Sequence, residues 1–197
     1  RLVGSEMCIR DRKEFIRQNP HISISISCQS TNDTLKLLED NKIDIGLIGK
    51  PENLKNIHFD FLEEIEDIFV AAKDYLRNLK ARGIQKDHIL QSSTLMLLDK
   101  NNMTRQYIDD YLQENQIIIK DSIDISDMDL LIDFARIGVG VACVIKNFVR
   151  EDLENGTLME IPLGFPIHKR EVGFAYKTTT KPSKSLAEFI HFYKTYR

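Results

Sequence analysis

Hydroxyl and amide side chains gather at three polar joints of this chain: Ser30, Thr31 and Asn32; Asn101 and Asn102 with Thr104; and Ser122 with Ser126. Residues of this kind have a particular use where a strand hands over to a helix. They satisfy the unpaired N–H groups of the first helical turn, and that turn, with its partial positive charge, can also hold an anion. The chemistry on offer is recognition rather than bond making. Lys100 and Arg105 flank the second joint and would add charge for a carboxylate.

Signatures of covalent chemistry are missing. The chain holds no GxSxG elbow, no HExxH, no CxxC pair and no P-loop. Gly138-Val139-Gly140 follows a helical pattern rather than a strand, and Cys143 stands where a dinucleotide fingerprint needs its third glycine. The triplet therefore reads as a helix stop and a tight entry into a buried strand. Asp124, Asp127 and Asp129 lack the ligand spacing and turn glycine of a calcium loop, and Asp127 and Asp129 suit the first turn of a helix. The histidines are isolated from one another, without zinc-ligand spacing. No catalytic residue, metal or cofactor is expected.

The elements that position the joints follow from periodicity. Residues 13–18 form a short helical pattern that stops at Asn19-Pro20, because proline pushes the residue before it out of the α region. Ile22, Ile24 and Ile26 alternate with serines, which predicts a strand over 22–28. A helix over about 35–41 and an apolar strand over 43–48 complete a βαβ unit, so a parallel sheet is expected. Further strands are predicted over 57–62 and 68–72, separated by a charged bend, with a helix over 75–82 ending at Gly83. A second cycle runs strand 94–98, helix 104–115, strand 117–123. Leu130, Leu131, Phe134 and Ala135 mark the next helix, and Val139 to Ile145 is apolar enough for a strand covered on both faces. A helix over 147–154, strands over 158–163 and 171–176, and a last amphipathic helix after Pro182 finish the chain.

Composition narrows the function. The 197 residues suffice for two small α/β lobes, and the 42% apolar and 29% charged content is that of a folded globular chain. Net charge is −3 with lysines and arginines scattered, so this segment is not expected to bind DNA by itself. The longest apolar run, 137–145, falls far short of the roughly 20 residues of a membrane helix. Cys8, Cys28 and Cys143 are odd in number and widely spaced, which points to a reducing compartment, the cytoplasm. The opening RLVGSEMCIRDR does not join the pattern that follows; its MCIRDR resembles a translated sequencing adapter, and residues 1–12 are set apart as non-native.

HISISISCQSTNDTLKLLEDNKIDIGLI resembles the opening βαβ unit of LysR-type transcriptional regulator effector-binding domains. EEIEDIFVAA, NNMTRQYIDDYL, ISDMDLLIDFARIGVGVACVI and LENGTLMEIPL continue that resemblance in family order, from Lys13 to Arg197. It implies two Rossmann-like lobes of the periplasmic-binding-protein type II kind, with the chain crossing twice between them. Lobe I would comprise 13–71 plus 169–197 and lobe II 72–168, with an anionic small-molecule effector between them. The family's binding loops match Ser30, Thr31 and Asn32, then Asn101, Asn102 and Thr104, then Ser126; Lys100 and Arg105 are secondary candidates. Gln29 stands where many relatives carry glycine, so hydroxyl contact would replace close backbone approach there. The resemblance also implies a homodimer or homotetramer that reaches promoter DNA only through an N-terminal winged helix-turn-helix absent from this chain. Two rivals share the architecture: a solute-binding receptor of a transport system, which an export signal would mark, and an enzyme, which would need a base cluster or cofactor lysine.

Overall fold

The structure is a computed structural model that describes residues 14–23, 25, 31–51, 53–178 and 182–195. Ser30, Gln29, Cys8, Cys28, residues 1–12 and most of the strand expected over 22–28 lie outside the described residues; Ile22, Ser23 and Ser25 have no regular secondary structure. The chain forms two compact units, one of residues 1–64 with 171–197 and one of residues 65–170, so it passes between them twice.

In the first unit, α1 (residues 14–18) buries Phe15, whose ring meets Phe189 and Phe192 of α8 (Lys184–Thr195) edge-on. Its three-stranded sheet has the order β1 (Gly46–Gly49), β8 (Arg170–Lys177), β2 (Ile57–Ile65). The helix α2 (Thr31–Glu39) lays Leu38 against Ile48, Ile57 and Ala175. β1 runs antiparallel to β8, with Leu47 opposite Phe174; the parallel pairing expected between β1 and the strand over 22–28 falls on residues most of which lie outside the described ones.

The second unit is a five-stranded mixed sheet in the order β5 (Asp121–Ile125), β4 (Thr94–Leu98), β6 (Val141–Ile145), β3 (Asp67–Ala72), β7 (Leu158–Glu160). Helices cover both faces. Phe69, Leu95, Leu97 and Val141 face a cluster with α3 (Lys73–Ala81), α4 (Ile89–Ser92) and α5 (Met103–Glu114). Their strand neighbours Ile68, Val70, Met96 and Ala142 face α6 (Met128–Arg136) and the segment that leads into α7 (Arg150–Asn155). Because alternate side chains enter two different cores, β3 and β6 are buried at every position and read as continuous apolar runs. Each buried Phe, Leu, Ile, Val or Met side chain here is worth about 1.5–3 kcal/mol of burial.

Two expectations shift. β3, placed in lobe I by the sequence resemblance, pairs with β6 and β7 of the second unit. The strand expected over 117–123 lies at Asp121–Ile125 instead, because Ile117 and Ile119 turn from the chain to cover the first core, leaving the Ser122 side chain exposed within β5.

The Gly138-Val139-Gly140 triplet is structural. Gly138 has φ 81°, its N–H bonds to the Ala135 carbonyl and that of Val139 to the Phe134 carbonyl, which closes α6 with a left-handed cap. Gly140 is needed for close approach: a Cβ there would lie 2.4 Å from the Thr94 carbonyl oxygen. Gly140→Ala is expected to destabilise the second unit by about 1–3 kcal/mol, since backbone must move to admit it. Urea unfolding checks this, and a change in stability under about 0.5 kcal/mol would show that β4 and β6 can part freely.

Candidate functional site

Parallel pairing decides which joints share an edge. In the second unit, β5 and β6 both run parallel to β4, with Leu98 opposite Ile125 and Met96 opposite Ala142. The loop after β4 and the residues after β5 therefore leave the sheet at neighbouring carboxyl ends, where Asp99 N–H donates to the Ile125 carbonyl at 3.2 Å. That edge carries Lys100, Asn101, Asn102, Thr104 and Ser126.

Both following helices begin with side-chain caps. Asn102 is extended and its side-chain oxygen accepts the Thr104 N–H at 2.8 Å. Asp127 accepts the N–H groups of Asp129 and Leu130 at 2.9 and 3.1 Å, so this carboxylate caps the helix. Asn101, Lys100 and Ser126 are exposed; Asn102 and Thr104 are half-buried.

Arg105 sits differently from Lys100. Only 6% exposed, it donates to the Leu98 carbonyl at 2.8 Å, to Asp124 at 2.5 Å and to Asp109 at 2.8 Å. Burial by itself would lower its pKa, but the hydrogen bonds to Asp109 and Asp124 outweigh that and raise it. Its charge is balanced by two carboxylates, and its place is that of a strut joining α5 to the ends of β4 and β5.

In the first unit, Thr31 opens α2 and its hydroxyl accepts the Gly49 N–H at 3.4 Å, which fixes the helix start beside the carboxyl end of β1. Asn32 follows, half-buried. Ser30 lies outside the described residues.

One arrangement had no signature in the sequence. Arg170 grips Asp67 through two hydrogen bonds, of 2.6 and 2.9 Å, with the Asp67 side chain fully buried and that of Arg170 13% exposed. The partners are 103 positions apart; the one hint was an acid at the head of the apolar run DIFVAA. Cys143 lies nearby in β6, and burial first, then the charge of Asp67, pushes its thiol well above the ordinary value. It is a poor nucleophile. Among the described residues, no three His, Cys, Asp or Glu side chains are grouped to hold a metal ion, and no helix is long and apolar enough to cross a membrane.

Mixed α/β sheets in two units crossed twice by the chain, with polar caps at the carboxyl ends of parallel strands, define an α/β fold of the periplasmic-binding-protein type II kind. The chain belongs to the LysR substrate binding domain family, whose model matches residues 12–197. It is 22% identical over 174 residues to the "Uncharacterized HTH-type transcriptional regulator YeiE" of Escherichia coli (strain K12), covering 88% of this chain and 58% of the relative. It is 23% identical over 157 residues to the "HTH-type transcriptional activator CmpR" of Synechocystis sp., covering 79% and 51%. The chain thus spans little more than half the length of these relatives. Its fold is shared with the effector binding domain of QuiR in complex with shikimate, at TM-score 0.78 and 18% identity, covering 98% of this chain and 91% of that one. The Synechocystis PCC6803 CcmR regulatory domain in complex with 2-PG aligns at TM-score 0.80 and 14% identity, covering 96% and 90%. The transport-receptor alternative is not favoured by relatives that are transcriptional regulators.

Proposed function

We propose that this chain is the effector-sensing part of a LysR-type transcriptional regulator, binding a small anionic metabolite and modulating transcription through a DNA-binding domain outside it. The observation that carries the reading is the family match over residues 12–197. Support comes from the polar joints at one edge of the second unit, where Asn101, Asn102, Thr104 and Ser126 meet the starts of α5 and α6; the same reading assigns Ser30, Thr31 and Asn32 as effector contacts. Lys100 is the exposed cation of that edge; Arg105 acts behind it through Asp124 and Asp109. The full protein acts in the cytoplasm as a homodimer or homotetramer, and a ligand works by favouring one arrangement over another. The relatives solved with shikimate and with 2-PG make small acids the first class to try.

A thermal-shift screen of small carboxylic and phosphorylated acids, beginning with shikimate, tests this. One acid is expected to raise the melting temperature in a concentration-dependent way, with about 2.7 kcal/mol of stabilisation at a hundred times its Kd. Thr31→Ala and Thr104→Ala are expected to abolish the shift. A hit indifferent to both substitutions, or no hit among the acids, overturns the reading.

A further inference from the structure

The ligand-side turn of α5 is connected to the places where the chain passes between the units. The chain enters the second unit at Ile65 and leaves it at Arg170. Two residues past the entry, Asp67 opens β3; at the exit, Arg170 opens β8, and the two are joined by the paired hydrogen bonds of 2.6 and 2.9 Å. Tyr107 of α5 completes the link from above. Its ring lies 5.5 Å from the Arg170 guanidinium carbon, and its hydroxyl donates to the His168 carbonyl at 2.8 Å. Tyr107 is three residues beyond Thr104, one turn along the same side of the helix. On the other flank of that turn, Arg105 holds α5 to Leu98 and Asp124.

We propose that Tyr107, Arg170 and Asp67 form a mechanical coupling that carries displacement of the first turn of α5 to both crossings of the chain. Three features support a coupling over ordinary packing. The guanidinium is held on two sides at once, by a buried carboxylate along its fork and an aromatic face against its plane. Tyr107 grips the segment that leads into the exit strand at a second point, two residues before Arg170. Asn102, the cap of α5, and Thr104 in its first turn are the candidate ligand contacts, so the helix that carries them also carries the grip on the exit segment. The coupling rests on the sensor reading for its purpose only; the measurement below needs no ligand, so the two proposals fail separately.

Amide hydrogen exchange on the chain tests it. Tyr107→Leu removes ring and hydroxyl, and is expected to speed exchange over residues 65–68 and 168–172 by roughly tenfold, the factor set by the net worth of one such hydrogen bond, with β4 and β6 unchanged. Tyr107→Phe keeps the ring over Arg170 and is expected to affect 168–170 alone. Coupling is reciprocal, so Arg170→Lys, which keeps the charge and loses the fork, is expected to speed exchange over 102–107 as well. Unchanged exchange at the crossings in Tyr107→Leu, a rise spread evenly through β4 and β6, or an indifferent α5 in Arg170→Lys overturns the proposal. If Tyr107→Leu does not fold, Tyr107→Phe decides, and unchanged exchange over 168–170 overturns it.

Discussion

Asp67→Ala is expected to cost the second unit about 3–5 kcal/mol, because it strands the Arg170 guanidinium in a site where only 13% of that side chain reaches water. The loss is more than a missing hydrogen bond. A cation left without its carboxylate retains its desolvation cost, whereas removing both charges removes that cost too. The double variant Asp67→Ala with Arg170→Met is therefore expected to recover much of the stability, and the non-additivity is the signature of the pair. Chemical unfolding of the single and double variants measures it. A loss below about 1 kcal/mol in Asp67→Ala would show the pair behaving like an exposed one.

Phe69→Ala is expected to have a loss of similar size and a different origin. Phe69 is fully buried at the middle of β3, opposite Cys143 of β6, and its carbonyl accepts the Ile161 N–H at 2.8 Å. Truncation leaves the backbone ladder intact and opens a cavity between the sheet and the helices above it, at about 3–5 kcal/mol. Phe69→Leu, closer in volume, is expected to lose clearly less, and no change at position 170 should rescue Phe69→Ala. A cost under about 2 kcal/mol would mean that the surrounding side chains collapse into the space.

Much of the second unit was readable because its signals are local. The left-handed cap at Gly138 follows from a glycine placed just after an apolar-faced helix, and the buried β6 follows from an unbroken apolar run. Asn102 and Asp127 cap the helices after them, as their residue types suggest. Other features depend on distant partners. That β1 pairs with β8, that β3 joins the second unit's sheet and that Asp67 meets Arg170 all depend on segments from 72 to 129 positions apart in sequence. Arg105 shows the same limit within a site. Its position beside the second joint suggested a ligand cation, while the fold turns it inward to Asp124 and Asp109.

From its residues alone, then, this chain determined its family, its α/β character and the polar identity of its helix starts, since each of these is carried by short-range spacing. Tertiary structure decided strand order, which charges face solvent and which are buried in pairs, and the link from α5 to the points where the chain changes unit. The reason is energetic: caps and turns are settled among residues a few positions apart, whereas the fate of a charge or a strand edge depends on whatever surface the rest of the chain brings against it.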